Sequence, residues 1–287
     1  MKEKQEAVLN DFTWTLTQLR RFKELGVDLQ NTPADFSTQA ERDKLFQQIE
    51  KKHVKADREK LSDFLIQGEK SHMESLMKKL AQALFQQGFT QVTTPTIITK
   101  AALAKMTVDA DHPLFRQVYW INKKQCLRPM LAPNLYSLMV DFSRLRHRPI
   151  RFFEMGSCFR KESDGARHNS EFTMLNLVEM GLAQENRLAR LKELATIIAK
   201  TAGLNDFKFE TENSKVYGST LDVVAGPGSI EVASGAMGPH PLDIPWGITD
   251  TWVGVGFGIE RLLMTSMGDT SIGKWGKSLS YFNGIRL

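Results

Sequence analysis

The chain of 287 residues is 41% hydrophobic and 25% charged, which excludes a disordered or fibrous protein and lets a core form without disulfide or metal staples. Its net charge of +5 admits a polyanionic partner without demanding one. No apolar run approaches the ~18 residues of a membrane span, the start "MKEKQEAVLNDF" is no signal peptide, and Cys126 and Cys158 show neither metal-ligand nor disulfide spacing, so a cytoplasmic setting is expected.

Residues 1–65 read as helices with polar connections, "VLNDFTWTLTQLRRFKEL" and then "TPADFSTQAERDKLFQQIEKKHVKADREKLSDFL". Thr32 caps the second and Pro33 sits in its first turn. They form an N-terminal helical appendage, 1–65, ahead of a larger domain over 66–287. Residues 1–70 hold 13 Lys+Arg and 13 Asp+Glu, so the positive surplus lies downstream. It gathers in "RLRHRPIR" (144–151), in "FRKESDGARH", and in a tail with Lys274, Lys277 and Arg286.

From Ser71 the pattern sharpens. Met73, Leu76, Met77, Leu80, Leu84 and Phe85 recur on one helical face, ended by Gly88. "FTQVTTPTIIT" is a β-branched strand that Pro95 interrupts, which places it at an edge. "VYWINKKQCLRPM" is a hairpin around Asn122-Lys123, and "APNLYSLMVDFSRL" a helix with Leu135, Leu138, Met139, Phe142 and Leu145 inward. The strands "IRFFEMGSCFR" and "EFTMLNLVEM" follow, then the helix "ENRLARLKELATIIAKTAG". Short strands run through "DFKFE", "STLDVVA" and "SIEVASGAM", and "WVGVGFG" leads into the helix "IERLLMTSM". Strands in hairpin-like runs with grouped helices predict an α+β fold, its sheet mostly antiparallel and flanked by helices.

Familiar nucleotide motifs fail. In "GVGFGIER" the third glycine of a dinucleotide fingerprint is replaced by Ile259 or Arg261, depending on where the count begins. The "GKS" at 276–278 has Ser271 where a phosphate loop needs its first glycine. There is no His-Glu-x-x-His, no Gly-x-Ser-x-Gly and no Cys/His zinc pattern.

"FRKESDGARHNSEF" offers another platform. Alternation puts Arg160 and Glu162 on one face of the outgoing strand, and Phe172, Met174, Asn176 and Val178 on one face of the returning strand. If these are the same face, a cation suited to phosphate, a carboxylate suited to an amino-purine edge and a stacking ring converge. Gly254, Gly256 and Gly258 leave a strip of strand without side chains, against which a flat ligand could lie. Arg261 follows in the first turn of the next helix, where the dipole also favours anions. The combination suits ATP on an open sheet.

These residues resemble class II aminoacyl-tRNA synthetases: "GFTQVTTPTII" their motif 1, "FRKE…HNSEF" motif 2, "GFGIER" motif 3. The longer strings "LRPMLAPNLYSLM", "FRKESDG", "EFTMLNL", "VYGSTLDV" and "WVGVGFGIERLL" are similar to the pyrrolysine-specific branch, over roughly residues 70 to 287.

The resemblance implies a class II synthetase fold, with 66–287 as the catalytic domain. It implies an aminoacyl-tRNA ligase that activates pyrrolysine, a bulky Nε-acylated lysine, with ATP and charges an amber-suppressor tRNA. Arg160, Glu162 and Arg261 are then the catalytic residues. ATP is held by Arg160, Glu162, His168, Asn169, Phe172, Glu231, Ser234 and Arg261, with Glu231 and Ser234 on Mg2+. Ala132, Leu135, Tyr136, Met139, Asn176, Val178, Ala236 and Trp252 bind the amino acid, Asn176 reading its side-chain carbonyl, and Tyr217 stands on a mobile lid. His168 has no carboxylate spaced to orient it as a base and is read as a positioning group.

Motif 1 implies a homodimer. Many relatives carry a separate N-terminal tRNA-binding domain, for which this chain starts too near its catalytic part. Either a separate small protein supplies it, or the 1–65 helices and the basic tail contact tRNA. Lys277 stands where relatives often have arginine. No membrane or DNA partner is expected. The alternatives are a class II ligase for another large amino acid, or a non-catalytic synthetase-like regulator.

Overall fold

The computed structural model describes residues 12–68, 70–145, 147–161 and 169–287. The chain divides into two compact units, Met1–Lys70 with Ser280–Leu287, and Ser71–Leu279.

In the smaller unit β1 (Phe12–Thr13) pairs antiparallel with β2 (Asp35–Phe36) across an intervening helix. Helix α1 (Leu16–Glu24) begins at a capping box in which Thr15 and Gln18 satisfy each other's backbone N–H groups. Helix α2 (Gln39–Gln67) starts at Thr38, whose hydroxyl accepts from the Glu41 N–H, and ends at Gly68 in the left-handed conformation. The cap is therefore Thr38, not Thr32: Asp35–Phe36 is committed to pairing with β1, and the Pro33 carbonyl accepts from Trp14 Nε1 at 2.8 Å. Trp14, Phe22 and Phe36 make the core, with edge-to-face contacts of 4.8 and 4.5 Å. The last residues add β12 (Tyr281–Phe282) and β13 (Ile285–Arg286) around an Asn283-Gly284 turn, both residues at positive φ.

In the larger unit α3 (His72–Gln86) is capped by Ser71 and buries Leu76, Leu80 and Leu84. Phe85, expected inward, is 51% exposed, because the buried stripe is one residue per turn and Phe85 lies at its margin, edge-on to Phe153. Pro95 divides the next strand into β3 (Thr90–Gln91) and β4 (Ile97–Thr99), followed by α4 (Lys100–Lys105) and α5 (Pro113–Gln117). Asn122 caps the predicted turn, accepting from the N–H groups of Lys124 and Gln125, and β5 (Gln125–Leu127) returns along β4. Helix α6 (Ala132–Phe142) buries Leu135 and Met139 but stops before Leu145, which is exposed.

The sheet follows: β6 (Ile150–Phe159), β7 (Glu171–Met180), α7 (Arg187–Thr201), β8 (Phe207–Ser214), β9 (Gly218–Ala225), β10 (Ile230–Gly238), β11 (Trp252–Gly258) and α8 (Ile259–Ser266). Its seven strands run in the order β3-β6-β7-β11-β10-β9-β8. The β3–β6 pair is parallel and the others antiparallel. Alternation splits its side chains between two cores. Leu175, Leu177, Val253, Val255 and Phe257 pack with α3, α7 and α8. Phe172, Met174, Val178, Ala236 and Trp252 face α6 and the 3-10 turn Pro241–Trp246. On this second face the sheet is left partly open.

Candidate active site

The site is built by register. Phe172 stands opposite Cys158, and Met174, Asn176 and Val178 stand opposite Gly258, Gly256 and Gly254. Ala236 and Ser234 continue the row beyond Gly254 and Gly256, and Asp222 lies beyond Ser234. Side chains directly opposite one another share a face. One row therefore crosses four strands, bare at its centre. It floors a cavity of about 810 Å³, walled by Ala132, Tyr136 and Met139 of α6 and by Tyr217 from the β8–β9 turn.

One end is cationic. Arg160 Nε donates to the Pro129 carbonyl at 2.9 Å, and its guanidinium lies 5.1 Å from the Phe172 ring centroid. Arg261, in the first turn of α8, donates to the Glu231 carbonyl at 3.1 Å and lies 3.8 Å from its carboxylate. Burial raises the Glu231 carboxyl above its ordinary value; Arg261 pulls it back and Asp222 pushes it further up. Ser234 donates its hydroxyl proton to Asp222 at 2.6 Å. A β-bulge between Glu231 and Ala233 brings Glu231 and Ser234 to the same face.

The other end is apolar around a single amide. Asn176 Oδ1 is buried and has no hydrogen-bond partner among the described residues, a state that asks for a ligand donor or a bridging group. Tyr136 lies 5.6 Å from Trp246 and 5.8 Å from Trp252. Trp252 Nε1 donates to both Asp243 oxygens, at 3.1 and 3.0 Å. Burial pushes the Tyr136 and Tyr217 phenols up, and the Asp243 carboxylate adds to both.

Neither cysteine is a nucleophile at neutral pH: burial pushes Cys126 to about 11 and Cys158 to about 12. The arrangement can hold a polyphosphate at one end and a long apolar chain with a polar tip at the other.

The family of tRNA synthetases class II core domain (F) matches residues 55–275. Two structures of pyrrolysyl-tRNA synthetase from Desulfitobacterium hafniense superpose with TM-scores of 0.88 and 0.87, at 50% and 47% identity. The first match covers 96% of this chain and 99% of that one, the second 100% and 99%. The chain belongs to the class II aminoacyl-tRNA synthetases, in the pyrrolysyl-tRNA synthetase family.

More distant ligases also align. The O-phosphoserine--tRNA(Cys) ligase of Methanoculleus marisnigri is 26% identical over 174 residues, 58% of this chain and 32% of that protein. The lysine--tRNA ligase of Sulfolobus acidocaldarius is 31% identical over 122 residues, 42% and 21% respectively. The chain thus spans well under half the length of those two ligases. Class II synthetases use ATP and a divalent metal, and the predicted fold class stands.

Within this synthetase core, Ala132, Tyr136, Met139, Arg160, Asn169, Phe172, Asn176, Val178, Tyr217, Glu231, Ser234, Ala236, Trp252 and Arg261 all line this cavity. Leu135 does not; it is buried in the core behind that wall. Glu162 and His168 lie outside the described residues. Lys277 is not part of the lining: its ammonium lies 2.5 Å from Ser157 Oγ and 2.5 Å from a Glu171 oxygen, and holds Glu171 below the usual carboxylate range.

Sequence reasoning missed three acids and a histidine. Asp222 holds Ser234, Asp243 holds Trp252, and Glu260 accepts twice from the Thr173 N–H, clamping α8 to β7. His240 Nε2 meets the Tyr217 carbonyl. An acid inside the apolar strand "STLDVVA" was the available signal for Asp222.

Proposed function

We propose that the chain activates pyrrolysine, or a related Nε-acylated lysine, with ATP and transfers it to a cognate amber-suppressor tRNA. The observation that carries this reading is Asn176, a buried amide with an unmatched carbonyl oxygen at the apolar end of the cavity. An acylated lysine offers an amide of its own at the tip of a long alkyl chain, whose N–H can donate to Asn176 Oδ1 and whose carbonyl can accept from Nδ2; among the standard amino acids only asparagine and glutamine carry a side-chain amide, on much shorter chains. A site that spends a buried polar group on that feature rejects substrates lacking it, without an editing domain.

The amino acid carboxylate attacks the α-phosphorus of ATP and pyrophosphate leaves. A ribose hydroxyl of the tRNA terminus then attacks the adenylate carbonyl and AMP leaves. Both steps need alignment and charge stabilisation more than a protein nucleophile. Arg160 takes the α-phosphate, Phe172 and Asn169 hold the adenine region with Glu162 and His168, and Arg261 reaches the terminal phosphate. Ala132, Tyr136, Met139, Val178, Ala236 and Trp252 wall the side chain, and Tyr217 closes over it.

Magnesium fits the anionic corner. A carboxylate and a hydroxyl are hard oxygen donors, and Glu231 is a buried carboxyl that a cation would stabilise in its charged form. When bound, the ion neutralises phosphate charge. Residues 1–65 are assigned to tRNA contact, alone or with a separate small protein, and the enzyme acts as a cytoplasmic homodimer.

Amino-acid-dependent ATP–pyrophosphate exchange tests the reading. Exchange with Nε-acylated lysines alone, lost in Arg160→Ala, is expected. Exchange with a standard amino acid would leave the synthetase and remove this substrate class. No exchange at all would favour a regulator.

A further inference from the structure

The short 3-10 turn Pro241–Trp246 begins at His240, whose ring does more than cap it. Nδ1 accepts the Leu242 N–H at 3.2 Å, and the His240 N–H donates to Asp243 Oδ2 at 2.6 Å. A backbone N–H can only donate, so Nδ1 carries its lone pair and the neutral ring has its proton on Nε2. That Nε2 lies 2.5 Å from the Tyr217 carbonyl oxygen, so it donates there. The two rings also meet edge to face, centroids 5.8 Å apart.

Ser, Thr, Asp or Asn would cap this turn as well and reach less far. Imidazole offers what they lack, an acceptor on one side and a donor on the other. The other hydrogen bonds described for residues 215–217 stay within the turn, from Val216 and Tyr217 N–H to Ser214 Oγ. The element carrying His240 also carries Asp243, which holds the wall residue Trp252, and Trp246, which packs on Tyr136.

We infer that His240 is a positioning residue that latches Tyr217 over the amino-acid end of the cavity, tying the β8–β9 turn to the element that fixes the opposite wall. The inference rests on the substrate reading above. The latch sets how long the amino acid is held and leaves the chemical step alone.

His240→Asn separates latch from cap, because Oδ1 of asparagine still takes the Leu242 N–H while nothing reaches Tyr217. In the substrate-free protein, amides of 214–218 should exchange about threefold faster or more. In pyrophosphate exchange, KM for an Nε-acylated lysine should rise about fivefold, the scale of one hydrogen bond, with kcat and the ATP KM within about twofold. His240→Gln, which keeps a donor near the Nε2 position, should recover at least half of the lost protection. Unchanged exchange at 214–218 in His240→Asn, or a glutamine variant no better than asparagine, would overturn the latch. Faster exchange with an unchanged amino acid KM would overturn the positioning role. Wild type inactive toward acylated lysines would sink the substrate reading instead, and the hydrogen-exchange comparison would still decide the latch.

Discussion

Glu231 and Ser234 are three positions apart on β10, yet both side chains face the cavity. Strict alternation would put them on opposite faces. Glu231 pairs with Val224 and Ala233 with Val223, so Val232 is an extra residue that resets the alternation. Ser234 then stands opposite Asp222, which takes its hydroxyl proton. With the proton so directed, the lone pairs of Ser234 are left for a cation. Asp222→Ala is expected to raise the Mg2+ concentration for half-maximal pyrophosphate exchange about tenfold, the usual cost of removing a group that orients a metal ligand. An unchanged magnesium titration would remove Asp222 from this role.

Gly256 lies opposite Asn176, and a Cβ placed there would come within 3.0 Å of Asn176 Nδ2 and 3.2 Å of Oδ1. Gly256→Ala should therefore tilt the amide rather than unfold the sheet. The expectation is an amino acid KM raised about tenfold or more, as for a lost bond to a buried polar group. The ATP KM should be preserved and the melting temperature nearly unchanged. Steady-state exchange with a parallel melt checks it.

A buried ion pair anchors the segment before Pro95. Arg128 donates to Glu154 at 2.7 Å, their side chains 4% and 1% exposed, and Glu154 also accepts from the Thr94 N–H and hydroxyl. Asn134 of α6 reaches Thr94 Oγ1 and the Pro95 carbonyl, at 2.6 and 2.8 Å. Glu154→Ala leaves a buried guanidinium unpaired and should cost about 3–5 kcal/mol. The double change Arg128→Met, Glu154→Leu should recover part of it. Denaturant unfolding of the three proteins distinguishes a structural pair from a dispensable one.

Glu260 gives a pH signature. Burial raises its carboxyl above the ordinary 4.5, against hydrogen bonds from the backbone and the Lys277 charge that lower it. The folded state then binds the proton more tightly than the unfolded state. The group's favourable contribution is complete below about 4.5 and is lost as pH rises through the raised value. Glu260→Gln keeps an acceptor for the Thr173 N–H without the charge. Its stability relative to wild type should increase as pH climbs from 4.5 toward neutrality, read from urea midpoints. A constant difference across that range would contradict the shift.

Much of the site was legible because a strand's period of two is rigid. Phe172, Met174, Asn176 and Val178 could be placed on one face, and the glycine strip of "GVGFG" found, from spacing alone. What spacing could not supply was register: that Gly256 faces Asn176, or that one bulge joins Glu231 to Ser234. Two-residue strands such as Phe12–Thr13 and Asp35–Phe36 have no period to read, and the sequence around them reads as helix. Phe85 and Leu145 fit a helical stripe but are only half covered, Phe85 by an edge-to-face contact with Phe153, because a stripe in sequence does not say how far the packed layer extends. His240 carried no local signal, since its partner is 23 residues away.

The most direct test compares an Nε-acylated lysine with its carbonyl-free Nε-alkyl counterpart, by pyrophosphate exchange, in wild type and in Asn176→Ala. If Asn176 reads the acyl carbonyl, wild type prefers the acyl compound strongly, and the ratio of the two kcat/KM values falls about tenfold or more in the variant. An equal preference in both proteins would contradict the assignment of Asn176, and with it the reason for placing an acylated lysine in this cavity.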